Sequence, residues 1–163
     1  MSNLGFMHAM KEAGIEVITT QVGDRYVLEK MLEGDFSLGG EQSGHVIMRK
    51  FANTGDGILT ALHLISEVSR TKKSLKELAS FMDRYPQVMI NVGGVSKAKL
   101  AENEKVKTAV SDAENQLGQK GRVLLRASGT EPLIRVMVEA ESAELAERFA
   151  TSLAALVKSE LAL

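Results

Sequence analysis

Apolar positions along this chain switch between helical and strand spacing, and glycines mark most of the switches. A helix is predicted over 5–13 and is closed by Gly14; the run Ile15, Val17, Ile18 predicts a strand over 15–20. Tyr26, Val27, Lys30 and Met31 share one side of a helix over 26–33 that Gly34 ends. Residues 36–38 and 46–48 read as strands on either side of a glycine-rich turn over 39–44. A helix over 57–69 sets Ile58, Leu62, Ile65 and Val68 on one side, with Leu59, Ala61 and Leu64 widening the apolar face. The basic run over 70–73 suits the negative end of that helix dipole. Ser74 and Glu77 make a capping-box pattern for a short helix through Leu78, Phe81 and Met82.

Pro86 is the first firm break, because the residue before a proline avoids helical geometry. A strand over 87–92 follows, ended by Gly93 and Gly94, then a helix over 102–117 ending near Gly118. Two short aliphatic strands, 123–125 and 136–138, flank a turn. A last helix starts after Ser142, with Leu145, Phe149, Leu153 and Leu156 on one face. The second half therefore reads β-α-β-β-α, a small α+β domain with a sheet of about four strands packed by two helices. The first half reads α-β-α-β-β-α, an incomplete α/β domain with a mixed sheet. The expected division is 1–72, a connector over 73–86, and 87–163.

Composition adds exclusions. The 163 residues are 44% apolar and 25% charged, with a net charge of −1, which gives no global electrostatic reason to bind nucleic acid or an anionic membrane. No apolar run approaches the ~20 residues of a membrane helix, and no signal-peptide pattern is present. With no cysteine there are no disulfides or thiolate metal sites, which fits a cytoplasmic protein. Aromatics are only 4% of residues, so the core must be aliphatic.

The chemistry concentrates in two loops. Between the strands at 123–125 and 136–138 lies Arg126-Ala127-Ser128-Gly129-Thr130-Glu131-Pro132-Leu133-Ile134-Arg135. Two hydroxyls and a glycine amide sit between two arginines, a set able to surround a tetrahedral dianion. Guanidinium forks match phosphate oxygens bidentately, and consecutive loop amides favour anions. Strand alternation turns Ile134, Val136 and Val138 toward the helices and Arg135 with Met137 to the other face, leaving its guanidinium free. The bland alternative is a solvated hairpin with incidental charges. In the second loop, Gly39-Gly40-Glu41-Gln42-Ser43-Gly44-His45, the Glu41 carboxylate can accept from adjacent sugar hydroxyls, Ser43 can donate and accept, and His45 is a neighbouring donor. Its bland alternative is a flexible turn with a surface carboxylate.

RASGTEPLIR resembles the phosphate-binding loop of the α-D-phosphohexomutase superfamily, and GEQSGH resembles that superfamily's sugar-binding loop, in the same order. The resemblance covers the whole chain, as the end of domain 3 followed by domain 4 of a four-domain mutase. Gln42, the stretch from Val22 to Val27 and the stretch from Asn53 to Gly57 are most similar to the members acting on amino-sugar phosphates. One departure is Gly93-Gly94, where members often continue a charged strand. By this resemblance Arg126, Ser128, Gly129, Thr130 and Arg135 would hold the non-reacting phosphate. Glu41, Ser43 and His45 would hold the sugar, and Asp24 or Arg25 would border it. The implied reaction interconverts glucosamine 6-phosphate and glucosamine 1-phosphate through an enzyme phosphoserine, with magnesium.

Neither the phosphoserine loop nor the acidic magnesium loop of the superfamily occurs in these residues. The chain is expected to be a fragment beginning inside domain 3, inactive alone, with no catalytic residue or metal ligand of its own. Asp56 reads as a helix N-terminal residue rather than a ligand, and His8 and His63 as structural or solvated. A phosphosugar is the expected partner, with neither nucleic acid nor membrane. The incomplete first domain would leave a face able to pair copies of the chain into a homo-oligomer. Two alternatives stand: specificity for mannose and glucose phosphates, and a non-catalytic phosphosugar-binding module.

Overall fold

Asn3 opens the first helix. In this computed structural model, which describes residues 2–163, its Oδ1 accepts from the Gly5 amide at 3.1 Å. Helix α1 runs Leu4–Glu12, and Gly14 turns the chain out of it at φ +67°. The segment 15–20 is not a strand: among the described residues no strand pairs with it, and Ile15 and Ile18 are exposed. Apolar alternation favours extended backbone, but a strand needs a neighbour to complete its ladder. Helix α2 (Asp24–Glu33) starts two residues earlier than expected and ends at Gly34. Strands β1 (Leu38–Gly40) and β2 (Val46–Met48) pair antiparallel, Gly39 opposite Ile47. The first half thus carries a two-stranded antiparallel sheet where a mixed one was expected, and β1 starts where the expected strand ended.

Helix α3 (Gly57–Thr71) is capped by Asp56, whose Oδ1 accepts from the Ile58 and Leu59 amides at 2.9 and 3.0 Å. Its apolar face has the predicted spacing, yet Ile58, Leu62 and Ile65 are 77%, 61% and 63% exposed, so none of the described residues covers it. Helix α4 (Leu75–Ala79) has the full capping box: the Ser74 hydroxyl accepts from the Glu77 amide, and the Glu77 carboxylate accepts from the Ser74 amide. It stops before Phe81 and Met82, which the pattern had included. The Phe81 ring meets Phe6 edge-on, with centroids 6.5 Å apart. The chain separates into two units, one through Asp83 and one from Arg84 to Leu163.

The second unit holds the larger core. Strand β3 (Gln87–Gly93) leads through a 3₁₀ turn, Ala98–Ala101, to helix α5 (Glu104–Leu117), which Asn103 caps at the Val106 amide. Strands β4 (Gly121–Ala127) and β5 (Leu133–Ala140) form the hairpin, and α6 (Ala143–Glu160) closes the unit. The sheet is antiparallel with order β3-β5-β4, three strands rather than about four. Ile134, Val136 and Val138 on the central strand are fully buried against α6 and α5, as alternation predicts. Ala146 and Ala150 are also fully buried, and their small side chains let α6 lie close on the sheet.

The opposite sheet face is polar at both ends. Pairing aligns Arg122 with Glu139, Leu124 with Met137, and Arg126 with Arg135. Arg122 Nε donates to Glu139 Oε2 at 2.7 Å, and Glu139 is fully buried. The Arg126–Arg135 row lies at the end where the hairpin turns.

Candidate functional site

The β4–β5 turn is held from inside. Ser128 is 3% exposed; its amide donates to the Leu133 carbonyl at 2.9 Å, and its Oγ accepts from the Glu131 amide at 3.2 Å. The Leu133 amide donates to the Glu131 carbonyl, and Pro132 has no amide proton to place. The Gly129 and Thr130 amides, on two exposed residues, have no acceptor among the described residues and are left for an outside one. The Ser128 hydroxyl proton is also uncommitted, because its oxygen is used only as an acceptor.

Two arginines stand on one sheet face at this turn. Arg126 and Arg135 are directly opposed across β4 and β5, and like charges in that position repel. Arg135 Nη2 donates to Glu131 Oε2 at 2.6 Å, so its guanidinium is not free as alternation alone suggested. The loop supplies the counter-charge itself, four residues back. Arg135 Nε is nevertheless buried without a hydrogen-bond partner. Among the described residues Arg126 has no ion-pair partner. One carboxylate against two guanidinium groups leaves a net positive charge beside the two free amides.

Lys97 is the residue the motif did not reveal. Its Nζ donates to the Ser128 carbonyl at 2.6 Å and to the Glu131 carbonyl at 3.1 Å. It follows β3, whose last residue Gly93 pairs with Leu133 at the far edge of the loop. Finding it from sequence would have required the β3–β5 register.

In the first unit, Glu41 Oε1 accepts from the Gly23 amide at 3.0 Å, just before α2. This ties Glu41 to the stretch carrying Asp24 and Arg25. The Glu41 amide donates to the His45 carbonyl at 2.9 Å and the Gly44 amide to the Glu41 carbonyl at 3.1 Å, closing a short turn. Ser43 and His45 are exposed on it, and Gly55 lies against His45, where an added Cβ would come within 3.4 Å. Asp24 Oδ1 accepts from the Arg25 amide, and Arg25 Nε donates to Glu29 at 2.7 Å. That hydrogen bond, and then the Glu29 charge, hold the Arg25 guanidinium above its ordinary pKa. The His63 ring packs tilted, at 48°, against Phe51 with centroids 4.5 Å apart, in keeping with a structural role.

Among the described residues no group of three or more His, Cys, Asp or Glu is placed to hold a metal ion. Asp56 is committed to two helix amides through one oxygen. Among the described residues no helix is long and apolar enough to cross a membrane.

Residues 1–85 match the family model "Phosphoglucomutase/phosphomannomutase, alpha/beta/alpha domain III", and residues 89–156 match "Phosphoglucomutase/phosphomannomutase, C-terminal domain". Phosphoglucosamine mutase of Thermobifida fusca is 56% identical over 163 residues, and that of Leifsonia xyli subsp. xyli 59% identical over 162. The alignments cover 100% and 99% of this chain but 36% of each relative, so the chain spans about a third of their length. Among solved structures, Aspergillus fumigatus N-acetylphosphoglucosamine mutase superposes with a TM-score of 0.85 at 18% identity, over 99% of this chain and 38% of that one. The same enzyme in complex with GlcNAc-6P and magnesium gives 0.78 at 17% identity, over 96% and 37%. At such identities the likeness shows the fold.

Proposed function

The chain belongs to the phosphoglucomutase/phosphomannomutase family, and from that membership we propose that it is the substrate-holding part of a phosphoglucosamine mutase. The reaction is the interconversion of glucosamine 6-phosphate and glucosamine 1-phosphate by phosphoserine-mediated phosphoryl transfer. Its place is cytoplasmic, in amino-sugar nucleotide and peptidoglycan precursor synthesis. Relatives of that name at 56–59% identity support this specificity over mannose or glucose phosphates. The carrying observation is the opposed pair Arg126 and Arg135 beside two uncommitted amides.

In this reading the expected domain 87–163 holds the phosphate that does not react. Arg126 and the Gly129 and Thr130 amides donate to its oxygens, the Ser128 hydroxyl adds a donor, and Arg135 contributes charge from its Glu131 brace. The expected domain 1–72, joined to it by the connector 73–86, supplies the sugar contacts: Glu41 accepts from hydroxyls, with Ser43 and His45 beside it and Asp24 and Arg25 bordering. Glu41 keeps one carboxylate oxygen for this while Gly23 holds the other. Since the anchored phosphate is the non-reacting one, one anchor serves both half-reactions: it takes the 1-phosphate in one and the 6-phosphate in the other. Positioning of this kind is a large share of phosphoryl-transfer catalysis. The phosphorylated serine and the magnesium are assigned to the parts of the longer relatives that this chain does not span.

A chimera tests the assignment. The matched region of the Thermobifida fusca enzyme is replaced by this chain and the product assayed with glucosamine, glucose and mannose 6-phosphates. Turnover favouring glucosamine 6-phosphate is expected. A folded chimera that turns over only the glucose or mannose ester would move the specificity to the alternative.

A further inference from the structure

We infer that Lys97 is a positioning residue for the anion loop: it holds the Ser128 and Glu131 carbonyls on one side and so turns the Gly129 amide to the other. The inference rests on the phosphate reading of the hairpin. Lys97 is half-buried, and its ammonium reaches across 31 and 34 residues of sequence to carbonyls at 2.6 and 3.1 Å. In a trans peptide the carbonyl and the following N–H point in opposite directions, so drawing the Ser128 oxygen toward Lys97 directs the Gly129 N–H away from it. Apart from Thr130, the remaining loop amides are already consumed: Ser128 donates to the Leu133 carbonyl, Glu131 to the Ser128 hydroxyl oxygen and Leu133 to the Glu131 carbonyl. Fixing a lysine costs rotamer entropy, and here the fixed side chain orients the one peptide whose flexible glycine would otherwise sample many directions. Its charge also lies under the loop, adding to the field of Arg126 and Arg135 without competing for the ligand.

The experiment is an inorganic phosphate titration of the ¹⁵N-labelled chain, followed at the loop amides. In the wild type the Gly129 and Thr130 signals should shift. Lys97→Met should weaken affinity about tenfold, the worth of one charge-assisted hydrogen-bonding group, and remove most of the Gly129 shift while the Thr130 shift persists at high phosphate. Lys97→Arg, which restores donors to the carbonyls, should recover the Gly129 response. Lys158→Met is the control, since it removes an equal charge whose Nζ donates at 2.7 Å to the Gly93 carbonyl outside the loop. It should leave both signals responsive. If Lys97→Met unfolds, seen as loss of the Val136 and Val138 amide dispersion, Lys97→Gln is read in the same way. Wild-type binding by Lys97→Met, or an equal loss in Lys158→Met, overturns the positioning role and leaves the phosphate site standing. A wild-type loop silent to phosphate overturns both.

Discussion

Replacing Arg126 by Met separates binding from stability at a single position. The substitution keeps the aliphatic stem that lies along the sheet and removes only the guanidinium. Charge-assisted hydrogen bonds contribute roughly 1.5–3 kcal/mol, so phosphate affinity should fall about ten- to a hundredfold. Stability should move the other way. Arg126 directly opposes Arg135 across the hairpin, and like charges so placed cost roughly 0.2–1 kcal/mol. Glu131 already pairs with Arg135 at 2.6 Å, so the relief belongs at the low end. For a unit of this size that corresponds to a melting temperature raised by about 1–2 °C. Calorimetric titration with inorganic phosphate and a thermal scan of the same samples read both effects. Unchanged affinity would refute the binding role. A melting point lowered by several degrees would show that the guanidinium holds the fold together rather than a ligand.

Other consequences concern the core, pH and the caps. Ile134→Ala, on the fully buried central strand, should cost about 2–5 kcal/mol in chemical denaturation; a smaller loss would mean that α6 settles into the cavity. Affinity for glucosamine 6-phosphate should rise as pH increases through about 6, where a phosphate monoester loses its second proton while arginine stays charged. A fall in affinity over that interval would exclude a dianion site. The Ser74 hydroxyl, then the Ser74 amide, hold Glu77 below the ordinary glutamate pKa. A carboxylate so depressed stabilises the fold above its unfolded pKa and loses that contribution as pH falls through the folded value. Helix α4 amides should therefore report fraying in acid, and Ser74→Ala should remove that pH response.

What could be read from sequence followed from how local each signal is. The β4–β5 hairpin, the α6 face and the capping box of α4 each rest on residues within a few positions of one another, and the chain builds them nearly as written. Asp56 was read as a helix-start residue for the same reason, and it caps α3. Non-local features escaped. Residues 15–20 alternate like a strand, but a strand exists only with a partner, and none of the described residues pairs with it as a strand. Ile58, Leu62 and Ile65 have core spacing, yet spacing does not say what covers a face. At the candidate site the motif gave the arginines and the turn. It did not give Lys97, which enters from another strand's end, nor the Glu131 carboxylate that engages Arg135.

The claim that the β4–β5 turn is the phosphate site is tested most directly by an amide map of the unmodified chain during addition of inorganic phosphate. The Ser128, Gly129 and Thr130 signals should move first and saturate together, with the core signals of Val136 and Val138 unmoved. Movement of the Gly40 to His45 amides with a silent hairpin would contradict the account and put the anion in the other loop.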